Sequence, residues 1–479
     1  MKTKPQTRSL ILNRRRFLRS AALTATFLIV PSHVVGLRGQ APHSRRLNIA
    51  GIGVGGQGGG DLNSIMTASQ ENIVALADPD WGYAAGTFKR YPAAKTFKDY
   101  RQMLDEMKEI DAIVVGTPDH HHACASMAGI KRGKHVYCEK PLTHSVWEAR
   151  TLAQAAREAN VVTQMGNQGQ ASEETRRLCE LVWASAIGPV REAHIWTDRP
   201  SNGLFNEYWP QGVPRPKEEE KVPETLDWDL WIGPAPMRPY HHIYCPFRWR
   251  GWWDFGTGAL GDIGCHAMDP VFRALKLGDT PPVSVEGSST RVNNETFPVG
   301  SMITYHFPAR GATVQANNVH VRGLSGTGAG AVEMPPVKVV WYDGGLRPPR
   351  FPGLDDEQVM GDNGRLLVGD LGFILGNRVY PESRRKDFTE PAKSIPRSPG
   401  CYKEWVDACK DRKVLCGSTF DFAGPLAESV LLGNVVLRVG LRDVLTRYKL
   451  LWDSPNLRFT NLEEANKYIR REYRQGWTL

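Results

Sequence analysis

Three glycines and one aspartate carry the first chemical signal: Gly51, Gly53 and Gly56 in "GIGVGGQGGGD", with Asp78 placed 22 residues beyond Gly56. A pyrophosphate held by backbone requires residues without side chains, because the chain must turn tightly and approach the phosphate oxygens. The free N–H groups of a helix N-terminus then face the phosphate charge. A carboxylate at the position of Asp78 accepts hydrogen bonds from adenosine ribose hydroxyls and repels a 2′-phosphate, so NAD is expected in preference to NADP. The second signal is Glu139-Lys140-Pro141. A lysine at the carboxyl end of a parallel strand points at the cleft where such sheets bind ligands, although standing alone it reads better as a solvated loop residue.

These residues need elements to position them, and the surrounding pattern supplies βαβ units. "RLNIAGIGV" is a short apolar strand, "GGDLNSIMTA" opens a helix, and "NIVALAD" is a second strand ending at Asp78. A third strand, "DAIVVGTP" from Asp111 to Pro118, ends in a turn, and "HVYCE" is a fourth. The turn is followed by three consecutive histidines in "DHHHACASMAGI". Successive side chains do not converge easily on one ion and no carboxylate or cysteine has a matching spacing, so no metal is expected. The segment reads instead as a helix start beside the cofactor, with Thr117, Pro118, His122 and Glu139 near the bound nucleotide.

Four separated motifs, "AGIGVGG", "VGTPDHHH", "GKHVYCEKPL" and "GDIGCHAMD", occur in the order seen in the family that includes glucose-fructose oxidoreductase, inositol dehydrogenase and the rhizopine catabolism proteins, which this chain resembles over nearly its whole length. The resemblance implies an α/β protein, with an N-terminal Rossmann dinucleotide-binding domain followed by an α/β domain carrying a large open, mostly antiparallel sheet. It further implies that the substrate lies between that sheet and the nicotinamide, and that copies of the chain pair through the open sheet. The family's catalytic lysine falls on Lys140 and its D-x-x-x-H pair on Asp262 and His266.

Oxidising a secondary alcohol removes a proton from oxygen as hydride leaves carbon, and a neutral histidine suits the first task near neutral pH. A lysine beside the same oxygen stabilises its developing charge, and an aspartate four residues before the histidine can share its helical face and favour its protonated form. Asp262 could equally cap the helix, and His266 could equally be a packed helix residue. The aromatic tract ending in "YHHIYCPFRWRGWWDFGTG" suggests sugar-facing walls at Trp249, Trp252 and Trp253. Asn167 and Gln168 are further candidates for substrate hydroxyls.

The chain has 479 residues, 41% of them apolar and 23% charged, enough for two or three domains. The net charge of +9 is concentrated in residues 1–46, which hold ten Lys or Arg and no acid, so the body is near neutral and a nucleic-acid partner is not expected. Residues 1–40 resemble a twin-arginine signal: Arg14, Arg15 and Arg16 precede Phe17, Leu18 and Arg19, and the apolar run Ala21–Val30 is too short to span a bilayer. No later stretch is expected to span one. This layout predicts a periplasmic or otherwise exported protein handled by the twin-arginine machinery. Eight scattered cysteines without a C-x-x-C pair read as buried thiols.

The expected organisation is a Rossmann domain over 46–165, a substrate domain over 166–450 with insertions near 210–228 and 322–399, and an extension over 451–479. Three functional readings follow. The first is an exported NAD-dependent sugar or polyol oxidoreductase with a tightly held cofactor. The second is an NAD-dependent glycosidase acting by transient ring oxidation and elimination. The third is a nucleotide-dependent binding protein without turnover.

Overall fold

A computed structural model describes residues 46–201, 207–310, 334–354, 357–440 and 449–479, so the expected signal over residues 1–40 lies outside the described residues. Strands β1 (Asn48–Ile52), β2 (Asn72–Ala77), β3 (Lys95–Phe97), β4 (Ala112–Val115), β5 (His135–Glu139) and β6 (Thr163–Gly166) form a parallel sheet ordered β3-β2-β1-β4-β5-β6. Helices cover both faces of such a sheet, which is why β4 is an unbroken apolar run buried at every residue. The chain order reverses between β1 and β4, and the glycine turn and the Thr117 turn meet there. Gly53 has φ +74°, and a Cβ on it would lie 2.6 Å from the Thr117 backbone nitrogen. A Cβ on Gly58, in the helix Gln57–Ser69, would lie 2.2 Å from the Gly53 carbonyl oxygen. The glycines thus permit helix, turn and neighbouring strand to touch.

The second sheet has nine strands: β7 (Val190–Trp196), β8 (Ser284–Ser289), β9 (Ser301–Phe307), β10 (Val337–Tyr342), β11 (Gly364–Gly369), β12 (Gly372–Leu375), β13 (Arg378–Tyr380), β14 (Lys449–Asp453) and β15 (Arg458–Phe459). Their order is β13-β12-β11-β7-β10-β9-β8-β14-β15, antiparallel throughout except for the β7–β10 pair. Part of the region read as rim loops, 322–399, is therefore sheet: Gly364–Tyr380 supplies three short strands, each with only two adjacent buried residues, which glycines and turns separate. The 210–228 segment is exposed over most of 214–225 but anchored at both ends, by buried Gln211, whose Oε1 accepts from Ala259 N at 3.0 Å, and by buried Trp228.

The helix Phe420–Val439 corrects the expectation that no later stretch is long and apolar enough to cross a membrane, since by length and composition it is. Nearly all of it is buried, against the helix Val146–Glu158 of the first domain and against β8 and the helix Gly258–Ala267 of the second. Its one buried acid, Glu428, pairs with Arg150 of the first domain (Nη2 to Oε1, 2.6 Å). An all-round apolar helix belongs in a core as much as in a bilayer.

Late segments return to the first domain. The helix Cys401–Lys410 packs on Gln57–Ser69. At the C-terminus, Arg471 reaches the buried Glu148 at 2.8 Å, and Trp477 lies under the Arg101 guanidinium at 4.1 Å. All eight cysteines are free; seven are buried and Cys409 is half-buried.

Candidate active site

A cavity of about 470 Å³ runs from the glycine turn and Asp78 to Lys140, Asp262 and His266. Lys140 arrives from the end of β5, while Asp262 and His266 share one face of Gly258–Ala267, a helix that begins after the left-handed Gly258 (φ +67°). The Lys140 ammonium lies 2.8 Å from Asp262 Oδ1, and a second cation, Arg250, donates Nε–H to the same oxygen at 3.2 Å. Although burial opposes ionisation, Lys140 and Arg250 hold the Asp262 carboxyl well below the usual range. Lys140 is pushed up: Asp262 outweighs the burial and the repulsion from Arg250. Asp262 sits inside the helix, and Thr257 is the residue at the cap position, so the capping alternative does not apply.

His266 is held by Asn167. The Asn167 amide donates Nδ2–H to the Cys265 carbonyl at 3.0 Å, which turns its oxygen toward His266 Nδ1 at 2.8 Å. Nδ1 must then carry the proton, leaving Nε2 as a lone-pair acceptor. Burial and the neighbouring Lys140 lower the His266 pKa to about 4, so the expected bias of Asp262 toward the imidazolium is outweighed and the ring is neutral at pH 7. Asn167 is fully buried and does not line the cavity, which corrects its assignment to substrate hydroxyls: it is a positioning residue for the histidine. An Asn167→Asp variant places a carboxylate beside Nδ1–H and should raise the histidine pKa. The acid limb of kcat should then move to higher pH with little change in KM, which a pH–rate profile checks.

At the nucleotide end, Asp78 Oδ2 accepts from Val54 N and Gly55 N at 2.8 and 2.9 Å, and Oδ1 accepts from Asp80 N at 2.9 Å. Asp78 therefore fixes the glycine turn as well as facing the cavity; burial raises its pKa to about 6, and it remains ionised at neutral pH. Gly51 lies behind the turn, where a Cβ would meet Val54 and Leu62 side chains at 2.6 and 2.7 Å, while Gly53 and Gly56 line the cavity. Thr117 and Pro118 also line it, and the Thr117 hydroxyl is buried without a partner, as expected of a group awaiting a ligand. His122 does not line it. Both of its ring nitrogens face carbonyls, Pro141 O at 2.6 Å and Thr117 O at 2.8 Å, so both must donate and the ring is an imidazolium. Burial works against that charge, but Cys138 and Asp119 bring the pKa up to about 10. His122 thus ties the Thr117 turn to the Lys140 turn.

Sequence reasoning missed several residues here. Asp61, in the first helix of the glycine turn, accepts from Tyr402 Oη at 2.9 Å, and neither has a local motif; beside them the expected site residue Glu139 accepts from Gln168 Nε2 at 2.9 Å. Burial and the nearby Asp61 push the Glu139 carboxyl up, and burial does the same to Asp61, so the two adjacent carboxyls resist ionising together. Arg250 was missed although it lies in the aromatic tract; its guanidinium stacks between Phe247 and Trp249 at 4.1 and 4.3 Å. Trp249 and Gln168 line the cavity, but Trp252 and Trp253 do not. Trp252 is extended and bridges to Thr296, while Trp253 opens the turn that follows, and the two side chains diverge: Trp252 packs edge-on against Tyr244, and Trp253 lies against Phe297. Among the described residues one group has metal-ligand spacing, Glu220 with His241 and His242. His241 Nδ1 accepts from Ile243 N at 3.1 Å, which leaves the proton on Nε2 facing Glu220, so hydrogen bonding accounts for the group.

Residues 47–167 match the model of an oxidoreductase family's NAD-binding Rossmann fold, and residues 205–319 match the C-terminal alpha/beta domain of the same family. Among curated proteins, the chain is 31% identical over 197 residues to levoglucosan dehydrogenase of Pseudarthrobacter phenanthrenivorans, covering 41% of this chain and 40% of that one. It is 28% identical over 231 residues to 1,5-anhydro-D-fructose reductase of Ensifer adhaerens, covering 47% and 52%. The matches thus span about half the length of these relatives. Among solved structures, the WlbA dehydrogenase from Bordetella pertussis in complex with NADH and UDP-GlcNAcA superposes with TM-score 0.54 at 15% identity, over 85% of this chain and 100% of that one. An NAD-binding oxidoreductase from Klebsiella pneumoniae gives 0.52 at 19%, over 85% and 100%. At these identities the likeness is one of fold.

Proposed function

We propose that the chain is an NAD-dependent oxidoreductase of the Gfo/Idh/MocA family acting on a secondary hydroxyl of a sugar or polyol, a reading supported by the matches of residues 47–167 and 205–319 to that family's NAD-binding and C-terminal domains. The observation that carries this reading is the neutral His266, its Nε2 without a hydrogen-bond partner among the described residues and its Nδ1 fixed by Asn167, beside the Lys140–Asp262 pair. The relatives named for levoglucosan and anhydrofructose support the substrate class.

The residues present fit the nucleotide. Gly53 and Gly56 offer the close backbone approach, the Thr117 hydroxyl lacks a partner, and Asp78 retains acceptor capacity toward ribose hydroxyls while its charge disfavours a 2′-phosphate. A bound nicotinamide would supply the acceptor and donor of hydride. His266 Nε2 receives the hydroxyl proton in oxidation and gives it back in reduction. Lys140 and Arg250 lower the energy of the negative charge gathering on that oxygen, and Asp262 keeps both cations in place. Trp249 supplies a flat apolar wall for the C–H face of a ring.

The decisive experiment incubates purified protein and NAD+ with a panel of polyols and monosaccharides and follows NADH by absorbance and product by mass spectrometry. If no carbohydrate yields NADH, and no glycoside is cleaved by protein carrying its nucleotide, the reading fails.

Export completes the proposal: the paired arginines would direct a folded protein, cofactor inside, across the membrane, and turnover outside would then regenerate NAD+ within the site. Arg14→Lys/Arg15→Lys should leave a reporter fused after residue 45 in the cytoplasm, whereas the unaltered segment should carry it out. Fractionation reads the difference.

A further inference from the structure

A second cavity of about 260 Å³ lies behind the turn Gly256–Thr257 that leads into the His266 helix, and it shares no lining residue with the first. Two polar atoms of its lining, His144 Nε2 and Asn434 Oδ1, are buried without a hydrogen-bond partner. Asn434 donates Nδ2–H to the Thr257 carbonyl at 2.9 Å, which fixes its oxygen as the group in need of a donor. His144 is kept neutral by burial and by the neighbouring Arg471. An unpaired buried polar atom is destabilising, and two lining one cavity indicate a place where a ligand supplies the missing bonds.

The charge of the lining is one-sided. Asp254 is paired with Arg238, and Arg471 with Glu148. Lys467 has Glu464 at 3.5 Å. What remains are Arg438 and Arg470 against the single acid Glu472. The Arg438 guanidinium lies 4.6 Å from the Trp253 ring and 5.6 Å from Tyr468; no carboxylate among the described residues is within ion-pair distance of it, although Asp254 and Glu295 lie near enough to favour its charge, and Arg470 lies on Trp147 at 4.0 Å. Guanidinium groups stacked on aromatic faces are preorganised to bind carboxylate or phosphate. Trp253 and Phe297 add an apolar wall. The space suits one sugar-sized molecule and is too small for a dinucleotide.

We propose that this cavity is a second binding site, for a small polyhydroxylated anion whose carboxylate or phosphate engages Arg438 and Arg470 and whose hydroxyls satisfy Asn434 and His144. It stands independently of the activity proposed for the first cavity. The site adjoins the turn that positions the His266 helix, through the Asn434–Thr257 bond and the hydrogen bond from the Thr257 hydroxyl to Asp119 Oδ2 at 2.6 Å.

Calorimetric titration of the full-length protein with D-glucuronate, sn-glycerol 3-phosphate and inorganic phosphate tests the proposal. At least one of the two polyhydroxylated probes should bind at a single saturable site, and which of them does distinguishes carboxylate from phosphate as the recognised group. Arg438→Gln should weaken that binding at least tenfold. Arg470→Gln, an exposed change that spares the fold, should weaken it several-fold, and Arg250→Gln in the first cavity should leave it unaltered. Absence of binding by both organic probes overturns the proposal. So does binding lost in Arg250→Gln but kept in Arg438→Gln, or inorganic phosphate binding as tightly as either organic probe.

Discussion

Replacing His266 by alanine is expected to lower kcat for hydroxyl oxidation by about 10²- to 10⁴-fold, the usual contribution of a positioned general base. Nucleotide affinity should hardly change, because His266 stands at the far end of the cavity from Asp78 and the glycine turn. The pH profile gives a sharper signature than the magnitude. Burial and Lys140 depress the histidine to about 4, so the proton-accepting form persists well below the range of an ordinary imidazole. With saturating cofactor, kcat should stay flat from pH 7 down to about 5 and fall only as the pH approaches 4. KM for the nucleotide should rise earlier, as Asp78 takes up its proton near 6. An acid limb in kcat centred near an unperturbed histidine pKa would refute the arrangement; stopped-flow or steady-state profiles with both substrates saturating provide the measurement.

The second large effect is expected at Asp262. Its carboxylate is the shared partner of Lys140 and Arg250, and the side chains of all three are largely shielded from water, at 7%, 15% and 17% exposure. Asp262→Asn leaves two adjacent buried cations with no counter-charge, a loss of about 3 kcal/mol in urea unfolding at pH 7. Turnover should also fall, because Lys140 then repels Arg250 and loses its fixed place. Asp262→Asn/Lys140→Met removes one of the two stranded charges and should recover much of the stability without recovering activity. If the single variant is as stable as the parent, the three groups do not form the network their geometry describes.

Legibility in the sequence followed distance along the chain. The glycine turn, Asp78, Lys140, Asp262 and His266 could be read because each sits in a short motif whose spacing has a physical meaning, and the structure brings Lys140, Asp262 and His266 together within one cavity. Asn167 was chosen as a hydroxyl binder because an amide at a strand end suits that task. Only the fold reveals that residue 266 stands beside it. Arg250 was hidden in a tract where tryptophan dominated attention. Trp252 and Trp253 face away from the cavity because the chain leaves the 3-10 turn at Arg248–Gly251 through one bridging residue, Trp252, and turns again at Trp253, a change of direction that residue types alone do not reveal. The strands over Gly364–Tyr380 have no alternating signature because apolar residues are buried on both faces, Leu366, Phe373 and Tyr380 in one cluster and Leu367, Ile374 and Val379 in another, and each run is too short to show a period. The buried Asp61–Glu139 neighbourhood had no local signature, since each carboxyl owes its state to groups brought by other strands and helices.

The late return of the chain has a consequence for synthesis. Asp61, beside the glycine turn, receives its hydrogen bond from Tyr402, 341 residues downstream, and Glu148 receives its ion pair from Arg471, 323 residues downstream. A nascent chain that has released only its first 200 residues has all six strands of the parallel sheet but lacks the Cys401–Lys410 helix that lies on the glycine helix. The nucleotide pocket therefore matures only after the ribosome has finished nearly the whole polypeptide. Contacts of this sequence separation slow folding and prolong the exposure of unpaired surface to chaperones. Ribosome-stalled intermediates truncated before Cys401 should accordingly retain no nucleotide, and cofactor capture becomes one of the last events of maturation.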